Sequence, residues 1–302
     1  MKESKRFKIV DVLLIVLAIL PIVLGMVLKI LTKPGAEGLS VTGAIIYFRI
    51  PMPFAGDLLI TEAQINSAIV ALFILFLSLW ITHGIKLYPN SKRQIVAEWI
   101  VNSTDKLVEE NMGQYFTGYS PFIGAIIGTS ILSTLLSLTG LFPPTSDFNV
   151  ILGWSALIFI LITYYKLKGG VLNYFKGYTE PIVLFTPMNI ISEFATPVSM
   201  TFRHYGNVLS GSIISLLLAY GLKGLSSLIL GWIPDPVGSF PLFRIGIPAV
   251  LSLYFDIFSG LLQAYIFAML SMLYISTALP VEKWLARKEK RAAKKAKKQL
   301  EN

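Results

Sequence analysis

The sequence predicts an all-α integral membrane protein with about six membrane helices, the last two long and strongly tilted. Three observations carry that expectation. Of 302 residues, 54% are hydrophobic and only 14% charged, against about 25% charged in a soluble domain. Six apolar stretches are each long enough for a bilayer core of about 30 Å, which takes about 20 helical residues. The net charge of +9 gathers at the two ends of the chain. No polar stretch is long enough for a soluble domain, so the chain reads as one membrane domain over 9–285 between two basic ends, 1–8 and 286–302. With no cysteine, a disulfide framework and thiol chemistry are excluded.

The elements follow in order. Lys2, Lys5, Arg6 and Lys8 outweigh Glu3 in the first eight residues. The apolar run 9–31 that follows is too long for a signal-peptide core and lacks a small-residue cleavage site, so it reads as a membrane helix. Further spans are expected at 64–85, 121–141, 150–167, 189–230 and 241–280. Between the second and third, residues 91–118 mix Ile95, Trp99, Val101, Leu107 and Val108 with charges, as an amphipathic surface helix does. The loop LFPPTSDFN (141–149) reads as a turn with Ser146 or Asp147 capping the next helix; Asp147 facing an outer vestibule is the alternative. Gly124 and Gly128 form a GxxxG pattern, read as helix packing.

The last two runs are too long to stand upright at 1.5 Å per residue. They tilt or break, with Gly206, Gly211 and Gly221 as breaks in the first and Pro248 as a kink in the second. The tail 286–302 carries eight Lys and Arg against Glu289 and Glu301. With both ends inside, twenty basic residues fall on the cytoplasmic side and five outside, in keeping with the positive-inside rule. Basic ends on such a body point to anionic lipid rather than nucleic acid.

Arg203, in PVSMTFRHYGNVLSG (197–211), is the one basic residue left inside a span. A guanidinium keeps its proton under any protein condition, and placing it at mid-membrane costs about 2.5–3.5 kcal/mol on insertion scales. It therefore needs a carboxylate, a carbonyl or water, either in an ion pathway or in a structural ion pair. Ser199, Arg203, Asn207, Ser210 and Ile214 recur at three or four residues and share one helix face. A matching face in the final span carries Ser252, Asp256, Ser259, Gln263 and Phe267. Asp256 is a candidate proton relay there, or else a salt-bridge partner or a helix-end residue near the outer surface. Gln263 is expected to hydrogen-bond Arg203 or a visiting carboxylate. Glu193, near the inner end of the Arg203 helix, is a candidate for an inner exit path, or else a solvated helix-end residue. His204 points about 100° away from Arg203 and reads as packing. His83 lies near the inner membrane edge, where headgroups are expected. No phosphate-binding loop, metal-ligand cluster or nucleophile–base pair stands out, so neither a cofactor nor a metal is expected.

The Arg203 segment resembles the signature of F-type ATP synthase subunit a, in which an arginine is followed closely by Gly-Asn and a small-residue turn. Four other blocks are similar to that family in the same order: ITEAQINSAIV (60–70), GLFPPTSDFNVILG (140–153), KLKGGVLNYFKGYTEP (166–181) and FDIFSGLLQAYIFAMLSMLYIS (255–276). The resemblance covers about 58–280. It implies a bacterial plasma-membrane subunit, with both termini cytoplasmic, whose two tilted helices lie against a rotor ring of small proteolipid subunits (subunit c), each with one membrane carboxylate. It further implies a peripheral stalk subunit b, a soluble ATPase head reached through the complex, a surrounding lipid bilayer, no nucleic acid, and no nucleotide site in this chain. Arg203 matches the family's essential arginine between two half-channels for H+ or Na+. Asn207 and Gln263 match polar residues near it, Asp256 a position that carries an ionisable group, and Ser199, Ser210 and Glu193 are expected to line the channels. His204 and Tyr205 depart from the usual Leu and Phe, and Ser212 replaces a channel glutamate of some members. The span 9–31 and the basic tail are additions.

A secondary transporter would show inverted repeats and paired broken helices, which are not evident between the halves. A membrane enzyme lacks a catalytic constellation here, and a structural scaffold would have no need of Arg203.

Overall fold

The computed structural model describes residues 2–32, 43–52, 56–87, 91–180, 182–233, 243, 250, 253–282 and 284–285, without the side chains of 2–7, 255 and 256. Its helices are α1 (Lys2–Thr32), α2 (Glu62–Thr82), α3 (Lys92–Met112), α4 (Ser120–Ser137), α5 (Phe148–Lys168), α6 (Val171–Thr179), α7 (Thr186–Leu230) and α8 (Ser259–Thr277). Six of them, α1, α2, α4, α5, α7 and α8, are long and apolar enough to cross a bilayer. That is the all-α membrane fold expected, and each of the six coincides with a stretch read from the sequence.

Of the two alternatives for the first long run, a tilted helix or a broken one, α7 is the unbroken one. It runs 45 residues as a single helix, with no break at Gly206, Gly211 or Gly221. A glycine inside a helix costs only about 1 kcal/mol. Opening the backbone in lipid would leave polar groups unpaired at several kcal/mol each, so the helix holds. Pro197 also sits inside α7, and the Thr201 hydroxyl donates to its carbonyl at 2.8 Å. α8 is preceded by a π-helical turn, Leu253–Phe258. The expected start of this span at 241, and Pro248, lie outside the described residues.

A two-stranded hairpin was not expected. β1 (Ile46–Met52) and β2 (Gly56–Thr61) pair antiparallel, with Phe48 opposite Ile60 and Ile50 opposite Leu58. β2 feeds directly into α2, and the Thr61 N–H donates to Gln64 Oε1 at 2.6 Å, half of a capping box.

α8 is the hub of the core. Phe267, Ala268, Met272 and Ile275 are buried against Ile123 of α4, Ile151 and Ile158 of α5, and Val108 and Met112 of α3. Small residues let these backbones approach, as packing in lipid requires. A Cβ on Gly260 of α8 would fall 2.3 Å from Thr134 Cγ2 of α4. In the GxxxG pair, Gly124 comes close to Thr104, but a Cβ on Gly128 would meet nothing within 4 Å among the described residues, so the pattern is half used.

α3 is the amphipathic helix expected at 91–118. Gln94 N–H donates to Ser91 Oγ at its start, and Gly113 ends it at φ +78°, a backbone angle that suits glycine. Ile95 and Trp99 point outward, and Val108 and Met112 face the core. Ion pairs pin α1 at both ends. Asp11 meets Arg93 at 2.9 Å and His83 at 3.2 Å, while Lys29 meets Glu62 at 2.9 Å. His83 was expected to meet headgroups; Asp11 on the added first helix takes it instead.

Candidate functional site

α7 presents the polar stripe as one exposed face. Ser199, Arg203, Asn207, Ser210 and Ile214 are all exposed, because three- and four-residue steps return to the same side of a helix. Arg203 makes no ion pair or hydrogen bond with any described residue. Phe202, 59% exposed, and Val198 are apolar, so the polar stripe that carries the guanidinium is bordered by apolar side chains.

His204 turns the other way. It is 2% exposed, with its ring 5.4 Å from Phe267 and 6.5 Å from Trp154. That is the packing role its position predicts.

Gln263 does not reach Arg203. It is 2% exposed and accepts a hydrogen bond from Asn207 Nδ2 at 2.7 Å. The reason is position along the helix axis, four residues or about 6 Å. Asn207 lies one turn on from Arg203, where α7 crosses α8, and it fills the position the guanidinium was expected to take. The amide pair therefore joins α7 to α8 beside Arg203 rather than beneath it.

A cavity of about 470 Å³ opens on the side of the molecule that carries the hairpin and the 141–147 loop. Phe142, Pro143, Thr145 and Ser146 form its mouth, and Asn207 and Gln263 lie along its wall. Its surface is rich in hydroxyls, with Thr134, Ser137, Ser212 and Ser259 also contributing. Asp147 accepts the Asn149 N–H at 2.8 Å and caps α5; it is absent from the cavity wall, and its neighbour Ser146 takes that place. Asp256 lies in the π turn three residues before Ser259, and its side chain is outside the description.

A second cavity of about 490 Å³ opens at the N-terminal end of α7, among Lys166, Tyr174, Tyr178, Asn189, Ser192 and Glu193; Ala278 in its wall packs in one cluster with Val108 and Met112, so this is the α3 side of the molecule. Glu193 is 8% exposed and pairs with Lys166 at 3.0 Å. The Tyr174 hydroxyl donates to Glu193 Oε1 at 3.2 Å and lies 2.5 Å from the Tyr178 hydroxyl. Burial raises the pKa of both tyrosines above the ordinary phenol range, so both stay protonated.

The two cavities do not meet along α7. Their nearest residues on that helix are Thr196 and Tyr205, nine residues or about 14 Å apart, and Arg203 stands in the gap. Of the site residues read from sequence, Asn207, Gln263 and Glu193 line cavities. Ser199, Arg203 and Ser210 do not; they stay on the exposed stripe. Sequence reasoning missed Lys166, Tyr174 and Tyr178 around Glu193. Tyr174 and Tyr178 are four apart in a short amphipathic helix, and that spacing was the available signal.

The chain matches the family model described as ATP synthase A chain over residues 65–276. It is 32% identical over 236 residues to ATP synthase subunit a of Staphylococcus saprophyticus, covering 74% of this chain and 92% of the relative. The subunit a of Staphylococcus carnosus is 30% identical with the same coverage. The subunit a of Propionigenium modestum, named as sodium ion specific, is 28% identical over 298 residues, covering 86% of this chain and 96% of the relative. With six membrane-length helices and a family match over most of its length, the chain belongs to the subunit a family of ATP synthases, multi-pass membrane proteins that act in ion translocation.

Proposed function

We infer that this chain is the stationary ion-conducting subunit of its synthase, carrying H+ or Na+ through two half-channels past Arg203. The observation that supports this best is the exposed Arg203, unpaired among the described residues, in the gap between one cavity beside the middle of α7 and another at its N-terminal end. The hairpin-side cavity is the entry from outside, with Asn207 and Gln263 in its wall and Asp256 nearby. The α3-side cavity, lined by Glu193, is the exit to the cytoplasm. Ser199 and Ser210 lie on the face that meets the ring. Partners are a rotor ring of proteolipid subunits with one carboxylate each, a peripheral stalk subunit b, and the soluble head that holds the nucleotide sites. The membrane is the bacterial plasma membrane, with both termini cytoplasmic.

The physics is direct. A ring carboxylate about 4 Å from Arg203 gains about 4 kcal/mol at an effective dielectric of 20, before desolvation. That attraction favours release of its ion beside the guanidinium. The same fixed charge repels a cation hopping straight from one cavity to the other. Each ion crossing 100 mV releases about 2.3 kcal/mol, available to turn the ring. Arg203→Ala is expected to abolish coupled ATP synthesis in vesicles carrying the whole complex. Normal synthesis by that variant would reject the role. Pumping with and without sodium identifies the ion.

A further inference from the structure

The α3-side cavity contains an ion pair that the passage of ions does not by itself require. Lys166 Nζ lies 3.0 Å from Glu193 Oε1. The same oxygen accepts the Tyr174 hydroxyl at 3.2 Å, and the Tyr178 hydroxyl backs that one at 2.5 Å. Asn189 Nδ2 fixes the backbone of α6 by donating to the carbonyls of Tyr178 at 2.8 Å and Glu180 at 3.0 Å. Tyr274 of α8 and Glu193 both line a smaller adjoining cavity of about 150 Å³. Lys166 from α5, Tyr174 and Tyr178 from α6, and Tyr274 from α8 are thus the titratable groups facing Glu193 from the elements packed around it.

The two partners of the pair are unequal. The Glu193 side chain is 8% exposed, and that of Lys166 is 37% exposed. A buried carboxylate left without a counter-charge would hold any arriving cation tightly. A lysine is a flexible point charge on a four-carbon stem, and this one sits in the last turn of α5 with its side chain 37% exposed. It can leave the carboxylate and return, and Tyr174 still donates to Glu193 while it is away.

We propose that the Lys166 ammonium is a tethered stand-in for the transported cation, occupying Glu193 between ions and making that carboxylate a point of transit rather than a trap. The proposal rests on reading the α3-side cavity as an ion path. A cation arriving at Glu193 displaces Lys166 into water, and the ammonium returns as the cation departs. Where the ion is a proton, Glu193 takes it and becomes neutral while Lys166 keeps its own. The Tyr174–Tyr178 pair positions the carboxylate for both occupants.

The test uses the whole complex in vesicles. ATP-driven pumping is measured while the cation concentration is varied on the α3 side alone, as pH or as sodium. An opposite charge within about 4–6 Å shifts a carboxylate's proton affinity by about 10- to 1,000-fold, and the partial exposure of Lys166 puts the effect at the low end. Lys166→Gln is therefore expected to reach half-maximal pumping at about tenfold lower cation concentration on the α3 side, with the dependence on the hairpin side unchanged. Adding Glu193→Gln to that variant should cancel the shift, and Lys166→Arg alone should leave the wild-type midpoint. Should Lys166→Gln fail to assemble, Tyr174→Phe removes a donor from the same oxygen and is expected to move the midpoint the same way, by about threefold, roughly half the tenfold effect on a logarithmic scale. An unmoved midpoint in these variants, an equal shift on both sides, or a shift that survives in the double variant overturns the proposal. Synthesis surviving Arg203→Ala would instead remove the ion-path reading beneath it, whatever the Lys166 variants do.

Discussion

Replacing Lys29 by methionine is expected to cost about 2–3 kcal/mol of stability. Lys29 on α1 pairs at 2.9 Å with Glu62, whose side chain is 2% exposed. Breaking a buried pair by removing one partner costs about 3–5 kcal/mol, because a buried charge is left alone. Three features reduce that figure here. Lys29 is 26% exposed, so water already screens part of the attraction. Glu62 keeps the Phe142 N–H at 3.1 Å. It also sits in the first turn of α2, where the helix dipole favours an anion by about 0.3–1 kcal/mol. Adding Glu62→Gln should return most of the loss, since no unpaired charge then remains. Thermal unfolding of the solubilised chain, followed by tryptophan fluorescence, measures both variants. A single variant as stable as wild type, or a double variant less stable than the single, refutes the reasoning. The effect should reach function as well. Glu62 and Asn66 grip the two backbone groups of Phe142, and Phe142 lines the hairpin-side cavity, so ATP synthesis should also fall.

Two further outcomes concern the packing of α8 against α7 and against α4. Asn207→Leu leaves the buried Gln263 amide without its partner and is expected to destabilise the chain by about 1–3 kcal/mol; a double-mutant cycle with Gln263→Leu, read by the same melts, should show the two effects to be strongly non-additive. Gly260→Ala places a Cβ 2.3 Å from Thr134 Cγ2 and is expected to cost about 1–3 kcal/mol by overpacking. Thr134→Ala should relieve much of that in melting experiments, because the nearest remaining Thr134 atom would stand 3.1 Å away.

The membrane helices were legible in the sequence because each is a long apolar run, and length against bilayer thickness is a strong constraint. The sequence left α7 open between a tilted helix and a broken one, since Gly206, Gly211 and Gly221 look like breaks until the backbone's need for internal partners in lipid is weighed. The hairpin was missed because its strands have seven and six residues and fall between two spans, where periodicity is too short to register. At the site, the helical repeat gave the exposed stripe and the inward turn of His204. It could not give the meeting of Asn207 with Gln263, which depends on how two helices cross, nor the convergence of Lys166, Tyr174 and Glu193 from three separate elements.

The unbroken length of α7 bears on why the two cavities are offset. Forty-five residues make a rod of about 68 Å, roughly twice a bilayer core of about 30 Å. Keeping that rod within the membrane requires an axis inclined by about 60° to the normal, which brings its depth to about 34 Å. At that inclination the gap of about 14 Å between the cavities becomes about 7 Å in depth and about 12 Å in the membrane plane. The separation is then chiefly sideways. On the function proposed above, an ion at the bottom of one cavity would be near the depth of the other but displaced along the membrane, with the Arg203 charge across the short way. A carrier moving in the membrane plane covers that displacement, whereas a simple pore would not need it. A break in α7 would let the two halves reorient and lose the fixed offset, so on the proposed function the continuity that lipid imposes on the backbone also sets the distance a carrier has to travel.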